Sequence, residues 1–374
     1  MKNKIYNYFF HEFMRYFIIV IFAVSSVIVT IQAVNFLDLV TSDGHAFRVY
    51  MYYSILTIPK IITKLIPFSF LIAVILTILK LDKDNELIIL WTSGLNKINV
   101  VNLLLRISLI VMLFQLTMAL VINPEALNYS RSLLKNSKLQ VLTSLLKEKQ
   151  FNDTVKGLTI FVDKKLEDNT YKNIFIRDDE KVLTDISDSS STIFAKKAYI
   201  SDSGRNLILI NGNIQKYDSS GKLSIIKFEK TQMNLSNLSS RGITEPKIQE
   251  TSTVKILKCL YDKNLDLRNC GRHKDNIKDT KIEINRRLGM PIFIPLIALI
   301  SSFLLSTRRE SKSSYLFKYI YFFIGFVVII GSEIAVRYSG NSFESTLIYY
   351  SFPLIASLLT YLYLIKTFKY ENLY

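Results

Sequence analysis

The side chains capable of chemistry are dispersed along this chain of 374 residues, and that dispersal narrows its function before any fold is considered. Its three histidines, His11, His45 and His273, lie far apart in sequence. No phosphate-cradling glycine loop ending in Gly-Lys-Ser or Gly-Lys-Thr occurs, so ATP hydrolysis by that route is not expected. Neither a paired-histidine zinc signature nor a serine nucleophile turn is present. Cys259 and Cys270 are the two cysteines, and their spacing fits no metal motif. They read as unpaired, incidental thiols, with pairing open to them if their segment faces an oxidising compartment. No catalytic residue, metal or cofactor is expected. Four charged groupings remain: the stretch from Asp82 to Lys97; Lys60 with Lys64; Glu283 with Arg286 and Arg287; and Glu333 with Arg337.

These groupings are positioned by long apolar runs. About 20 apolar residues at 1.5 Å each cross a bilayer. Six runs meet that length: Phe13–Leu37, Tyr52–Leu79, Val100–Ile122, Leu288–Leu305, Leu316–Val336 and Leu347–Ile365. Pro59, Pro67, Pro291, Pro295 and Pro353 sit inside them, which lipid-embedded helices tolerate where neighbours re-satisfy the backbone. The first run is too long for a cleavable signal and has no small-residue cleavage site, so it reads as an anchor. The fold class is therefore an α-helical polytopic membrane protein, three spans on either side of one polar insert. The expected divisions are Met1–Ile122, Asn123–Ile282 and Glu283–Tyr374.

The formal charge of +16 would suit a nucleic acid, but the basic residues are spread and many flank spans, so no nucleic-acid partner is expected. Short-loop charge sets the orientation instead. Lys2 and Lys4, then Lys80, Lys83 and Lys97, then Arg308, Arg309 and Lys312, and finally Lys366 and Lys369 fall on one side. The opposite short loops carry Arg48 and Arg337. Both termini read as cytoplasmic, and the insert as lying across the inner membrane in the periplasm.

The insert opens with a helical stretch, Pro124 to Gln150, that prolongs span three and carries Leu133, Leu134, Leu142, Leu145 and Leu146 on one side. The period then changes to two. Strands are expected at Leu158–Val162, Asn173–Arg177, Thr192–Ala195, Ala198–Ile200, Asn206–Ile210 and Leu223–Phe228. Asp202-Ser203-Gly204 and Asp218-Ser219-Ser220-Gly221 supply the turns. Such spacing argues for an antiparallel sandwich or jelly roll. Its open edges invite docking of a similar sheet. Helical character returns from about Ser252.

Between spans two and three, a short amphipathic helix is expected to begin near Asp84. It would place Leu87, Leu90 and Trp91 on one face and stop at Gly94. Its two readings are a grip for a separate nucleotide-binding subunit and an interfacial cap anchored by Trp91. The stretch resembles the cytoplasmic segment of the lipopolysaccharide-export permeases, the LptF/LptG (YjgP/YjgQ) family. That family has a glutamate, a short apolar run, a small residue and glycine; here these are Glu86, Ile88-Ile89-Leu90, Ser93 and Gly94. Pro59 and Pro67 share the spacing of the family's paired prolines. Glu283-Ile284-Asn285-Arg286-Arg287-Leu288 followed by Pro291 resembles the start of its fourth span. The Leu79-Lys80-Leu81 segment, the Ser-Gly-Leu-x-Lys turn and Glu12 favour the LptF-like branch, while Asn96 and Arg286 depart from common family residues.

The resemblance implies a permease subunit of an ABC transporter complex without its own motor. Its partners would be a homologous second permease, a cytoplasmic ATPase dimer, a periplasmic jelly-roll bridge protein and lipopolysaccharide. Glu86, Leu87, Leu90, Trp91, Ser93 and Gly94 would couple to the ATPase. An anionic lipid head needs cations at headgroup depth. Lys60 and Lys64 share a helix face; Arg48, Arg131 and Arg337 are further candidates, with Lys135 a weaker one; ordinary snorkelling is the competing role for each. Arg286 and Arg287 read first as anchors of span four. Glu333 should face a partner or a cavity, with Arg337 as its expected mate. The alternative function is a structural or sensory inner-membrane protein whose insert binds a protein.

Overall fold

A computed structural model describes residues 2–41, 47–136, 146, 148–155, 157–166, 170–179, 191–201, 206–217, 223–234, 247–261, 274–306 and 314–371. Among them run helices α1 (Lys2–Phe36), α2 (Asp38–Thr41), α3 (Phe47–Lys83), α4 (Glu86–Thr92), α5 (Lys97–Thr117) and α6 (Asn123–Asn136). Strands β1 (Phe151–Val155), β2 (Leu158–Lys165), β3 (Thr170–Asp178), β4 (Ser191–Ile200), β5 (Asn206–Tyr217) and β6 (Leu223–Asn234) follow. Helices α7 (Thr253–Tyr261), α8 (Lys274–Gly289), α9 (Phe293–Ser302), α10 (Ser314–Tyr338) and α11 (Phe343–Glu371) complete the described chain. Six helical runs are long and apolar enough to cross a membrane, and the antiparallel sheet lies between the third and fourth in sequence. The chain forms two compact units. One holds Met1–Ile31, Leu56–Asn128 and Lys247–Tyr374; the other holds Gln32–Ile55 and Tyr129–Pro246.

In the helical unit, Phe13, Phe70, Leu71, Leu104, Ile294, Ile297 and Leu364 form one continuous buried cluster drawn from five spans. The peripheral faces of α1 and α11 stay apolar and uncovered, as at Phe22, Val27, Leu358 and Leu362. Lipid is the solvent that such faces suit.

Proline dictates the irregularities of this bundle. A proline has no N–H to give the carbonyl four residues earlier. Pro67 leaves the Thr63 carbonyl free, and the Gln115 side-chain amide of α5 donates to it at 3.2 Å. Pro124 leaves the Leu120 carbonyl free, and the Thr253 hydroxyl donates to it at 2.6 Å. Just before Pro124 the backbone widens into one π-helical stretch, Met118–Ile122, without ending the helix. Pro291 falls in a 3-10 turn, Met290–Ile292, that separates α8 from α9 within span four.

The other unit is built on one six-stranded antiparallel sheet whose order follows the sequence, β1 to β6. The strand spacing forecast an antiparallel β domain without giving this order. Leu158, Ile160, Val162, Ile176, Ile193, Leu207 and Leu209 form its core face. Along β3 and β5 the inward alternation slips by one residue. In β3 it passes from Tyr171 to Ile174, in β5 from Leu209 to Ile214. Asn173 and Asn211 sit at those slips with φ of 49° and 53°, a conformation asparagine tolerates. The two readings Thr192–Ala195 and Ala198–Ile200 are one strand, β4, crossing the same line at Lys196-Lys197. Strand β1 escaped the sequence reading because Phe151-Asn152-Asp153-Thr154-Val155 is polar at its centre.

Leu146 also differs from expectation. It is buried in the β core rather than on a helix extending span three, which is described as far as Asn136. Leu142 and Leu145 and both expected turn sequences lie outside the described residues.

Candidate functional site

The short helix α4 follows α3 through Asn85, whose left-handed backbone (φ 60°) turns the chain sharply. Seven residues cannot hold a helix in isolation, so tertiary contacts must. Leu87 is buried in the bundle core, and Leu90 and Trp91 pack against the same cluster. Gly94, at φ 83°, ends the helix, and the Leu95 amide donates back to the Leu90 carbonyl at 3.1 Å. The Lys97 ammonium lies 6.0 Å from the Trp91 ring centre and 5.6 Å from that of Phe368.

The residues expected on one face are therefore the inward face. Facing out are Ile88, Ile89, Thr92 and Ser93, with Glu86 half-buried at the edge. Ile88 and Ile89 are 49% and 63% exposed and form an adjoining apolar pair on the outer face. Sequence periodicity identified the anchors and passed over Ile88 and Ile89 as mere parts of an apolar run.

Three polar ties converge on this corner. Tyr8 of α1 donates its hydroxyl to Glu86 Oε1 at 3.0 Å. Glu12, one turn further on α1, meets the Lys80 ammonium at 2.8 Å. Lys318 of α10 meets Asp82 at 3.2 Å. Beside them an apolar hollow of about 330 Å³ is lined by Ile5, Tyr8, Phe9, Leu81, Ile89 and Leu90, among others.

A second constellation lies elsewhere in the same unit. A cavity of about 90 Å³ brings together Lys60 and Lys64 of α3, Gln115 of α5, Glu283, Arg286 and Arg287 of α8, and Glu333 of α10. Lys60 is half-buried and Lys64 exposed. Arg287 is 4% exposed and fully engaged. It donates to Glu283 at 3.0 Å, to Thr253 Oγ1 at 2.9 Å, and to the carbonyls of Ile248, Gln249 and Thr251. Arg286 adds a second bond to Glu283 at 3.3 Å. Arg287 thus fastens the 247–253 segment onto span four, while Arg286 bonds to Glu283 within the same helix. Gln115 Oε1, by contrast, is buried without a hydrogen-bond partner among the described residues. The amide needs a donor there, and the cavity has room for one.

Glu333 lines this cavity, and no Glu333–Arg337 ion pair is found among the described residues. Helical spacing of four brought the two within reach, but Arg337 points to an exposed position while Glu333 turns inward. Arg48, exposed, and Arg131, half-buried, belong to the other compact unit. Cys259 is disulfide-bonded, which replaces the reading of free thiols; Cys270 lies outside the described residues.

On the β unit, a cleft of about 990 Å³ runs across the sheet. Phe161, Phe175 and Phe194 line it, with rings of Phe175 and Phe194 centred 5.0 Å apart. Gly212 makes room for Phe228, since a Cβ there would meet that ring at 2.4 Å and the Phe194 carbonyl at 2.2 Å. A polar row of Asp163, Asn173, Lys196, Asn211 and Glu229 crosses the same cleft along the line where the alternation slips.

Residues 7–367 match the family model described as lipopolysaccharide export system permease LptF/LptG. The chain belongs to the LptF/LptG family. The match takes in both sets of three spans, helix α4 and the whole sheet. An uncharacterized protein of Rickettsia prowazekii (strain Madrid E) is 31% identical over 236 residues. That alignment covers 63% of this chain and 64% of the Rickettsia protein. Membership in LptF/LptG accords with a multi-pass inner-membrane protein of a transport family rather than an enzyme family.

Proposed function

We propose that this chain is the permease subunit of an ABC transporter complex that extracts lipopolysaccharide from the inner membrane and passes it through the β unit toward the outer membrane. The observation that carries this reading is helix α4, held from within by Leu87 and presenting Glu86, Ile88 and Ile89 outward, in a chain of the LptF/LptG family. A short element between two spans, apolar on both faces, suits a grip for a separate cytoplasmic ATPase dimer. Both termini are then cytoplasmic and the β unit periplasmic. The membrane half is completed by a homologous second permease, and the open edges of the sheet serve a jelly-roll bridge protein.

Lys60 and Lys64 meet the phosphorylated head of the lipid, with Arg48, Arg131 and Arg337 as further contacts. What supports the role of Lys60 and Lys64 is the cavity they line: it gathers four basic and two acidic side chains. An anion relieves such an excess in a low-dielectric setting. The division at Ile122 and Glu283 separates the parts that grip lipid in the membrane from the part that hands it on.

The test is Glu86→Lys in the full chain. Copurification of the ATPase should fall at least tenfold and lipid export with it. ATPase recovery and growth equal to wild type would refute the coupling role of α4.

A further inference from the structure

Helix α4 is poorly equipped to hold its own acidic residue in place. Its N-terminal Asn85 makes no side-chain cap, and the helix is two turns long. Glu86 is nevertheless fixed, because Tyr8 reaches it from a different part of the chain, 78 residues earlier. The bond is charge-assisted, with a phenol O–H donating to a carboxylate. One carboxylate oxygen, Oε1, is engaged in this way.

The neighbouring ties give this contact a direction. Tyr8 and Glu12 are spaced i, i+4 on α1, so one helix face makes two rungs. The first rung holds α4 through Glu86; the second holds the end of α3 through Lys80 at 2.8 Å. Glu12 is itself buried, at 7% exposure. From the other side, Lys318 ties α10 to Asp82 at 3.2 Å. The spans so joined, α1 and α10, are little buried within the chain, at 11% and 17% of their apolar windows; the span formed by α3 reaches 67%. Of these ties only the Tyr8–Glu86 bond reaches α4 itself; the Glu12–Lys80 and Asp82–Lys318 pairs fasten α1 and α10 to the end of α3, from which α4 departs.

We infer that Tyr8 is a positioning residue for coupling: its hydroxyl orients the Glu86 carboxylate and passes movement of α4 to α1, while the Glu12–Lys80 and Asp82–Lys318 pairs hold the neighbouring end of α3. The inference rests on the reading of α4 as the ATPase grip. It assigns the first turns of α1 to the coupling device, where they would otherwise be only the start of a membrane span.

The experiment uses the complete permease–ATPase complex in lipid vesicles and measures lipid exported per ATP hydrolysed, ATP turnover and the KM for ATP. Tyr8→Phe removes one oxygen and keeps the ring. Export per ATP should fall about five- to tenfold, with the KM for ATP unchanged. In the double variant Tyr8→Phe with Glu86→Leu, which removes the acceptor, export should match Glu86→Leu alone, because Tyr8 acts through Glu86. Full export per ATP in Tyr8→Phe, or losses that simply multiply in the double variant, would overturn the inference. If Glu86→Leu itself exports and binds the ATPase like wild type, the coupling reading of α4 fails first. If Glu86→Leu is impaired and Tyr8→Phe is not, only the role of Tyr8 fails. Should Tyr8→Phe prove too unstable to purify, Tyr8→Trp keeps a ring of similar bulk with an N–H donor. Recovery of export by Trp relative to Ala supports donation to Glu86, and equal loss in both opposes it.

Discussion

Replacing Gln115 by leucine tests whether a side chain from α5 substitutes for the hydrogen bond that Pro67 cannot make. Leucine keeps most of the volume at a site that is 3% exposed and removes the amide that donates to the Thr63 carbonyl at 3.2 Å. The carbonyl is then left without its donor. Leaving a buried acceptor unsatisfied costs about 1–3 kcal/mol, and side-chain hydrogen bonds between membrane helices measure up to about 1.7. A loss of about 1–1.5 kcal/mol is expected, close to tenfold in the folded-to-unfolded ratio. The decisive comparison is the same substitution in a Pro67→Ala background. Alanine restores an N–H at position 67, four residues after Thr63, so the carbonyl regains a backbone donor. Gln115→Leu should then cost under about 0.5 kcal/mol, giving a coupling near 1 kcal/mol. Reversible unfolding in mixed micelles with a denaturing detergent measures all four proteins. Equal cost of Gln115→Leu in both backgrounds would refute the substitution argument, however unstable the variants were.

Three other outcomes follow from geometry. Gly212→Val should destabilise the β unit by about 1–3 kcal/mol, because the added atoms overlap the Phe228 ring and a strand carbonyl; pairing it with Phe228→Ala should recover part of the loss on thermal unfolding. The Tyr171 hydroxyl is buried with no partner among the described residues, and burial pushes its pKa up from the ordinary value. The neutral form is thus favoured in the fold. Stability from this group is complete below about pH 10 and declines as pH rises beyond, and Tyr171→Phe should flatten that decline and leave neutral-pH stability equal or higher. Leu87→Ala should lower stability of the helical unit by about 2–4 kcal/mol, whereas Ile89→Ala should change it by under about 0.5 and act on ATPase association instead.

The membrane spans were legible because length and apolarity alone define them. The sheet was legible where alternation is clean, as in Leu158–Val162, and was lost where another constraint overrides it. Lys196-Lys197 looks like a break in β4 because the strand crosses a line where inward and outward positions exchange. Residues of β1 carry too little apolar character to announce a strand. In α4 the period found the face of Leu87, Leu90 and Trp91; packing it against the core leaves Ile88 and Ile89 outside, a choice made by the core beneath. Glu333 and Arg337 share a helix side by spacing, yet a pair also needs both side chains to turn the same way. The link from Pro67 to Gln115 was absent from the reading, although a signal existed. A proline inside a span frees the carbonyl four residues back, and a glutamine in the next span is a donor seeking an acceptor.

The unbroken strand order β1 to β6 bears on how such a chain can be made. Each strand pairs with the one synthesised just before it, so contact order within the sheet is low. The sheet can therefore assemble hairpin by hairpin as it is synthesised, after the first three long apolar helices and before the last three leave the ribosome. A topology that required β1 to wait for a distant strand would hold an unpaired edge open through that interval, when aggregation is most dangerous.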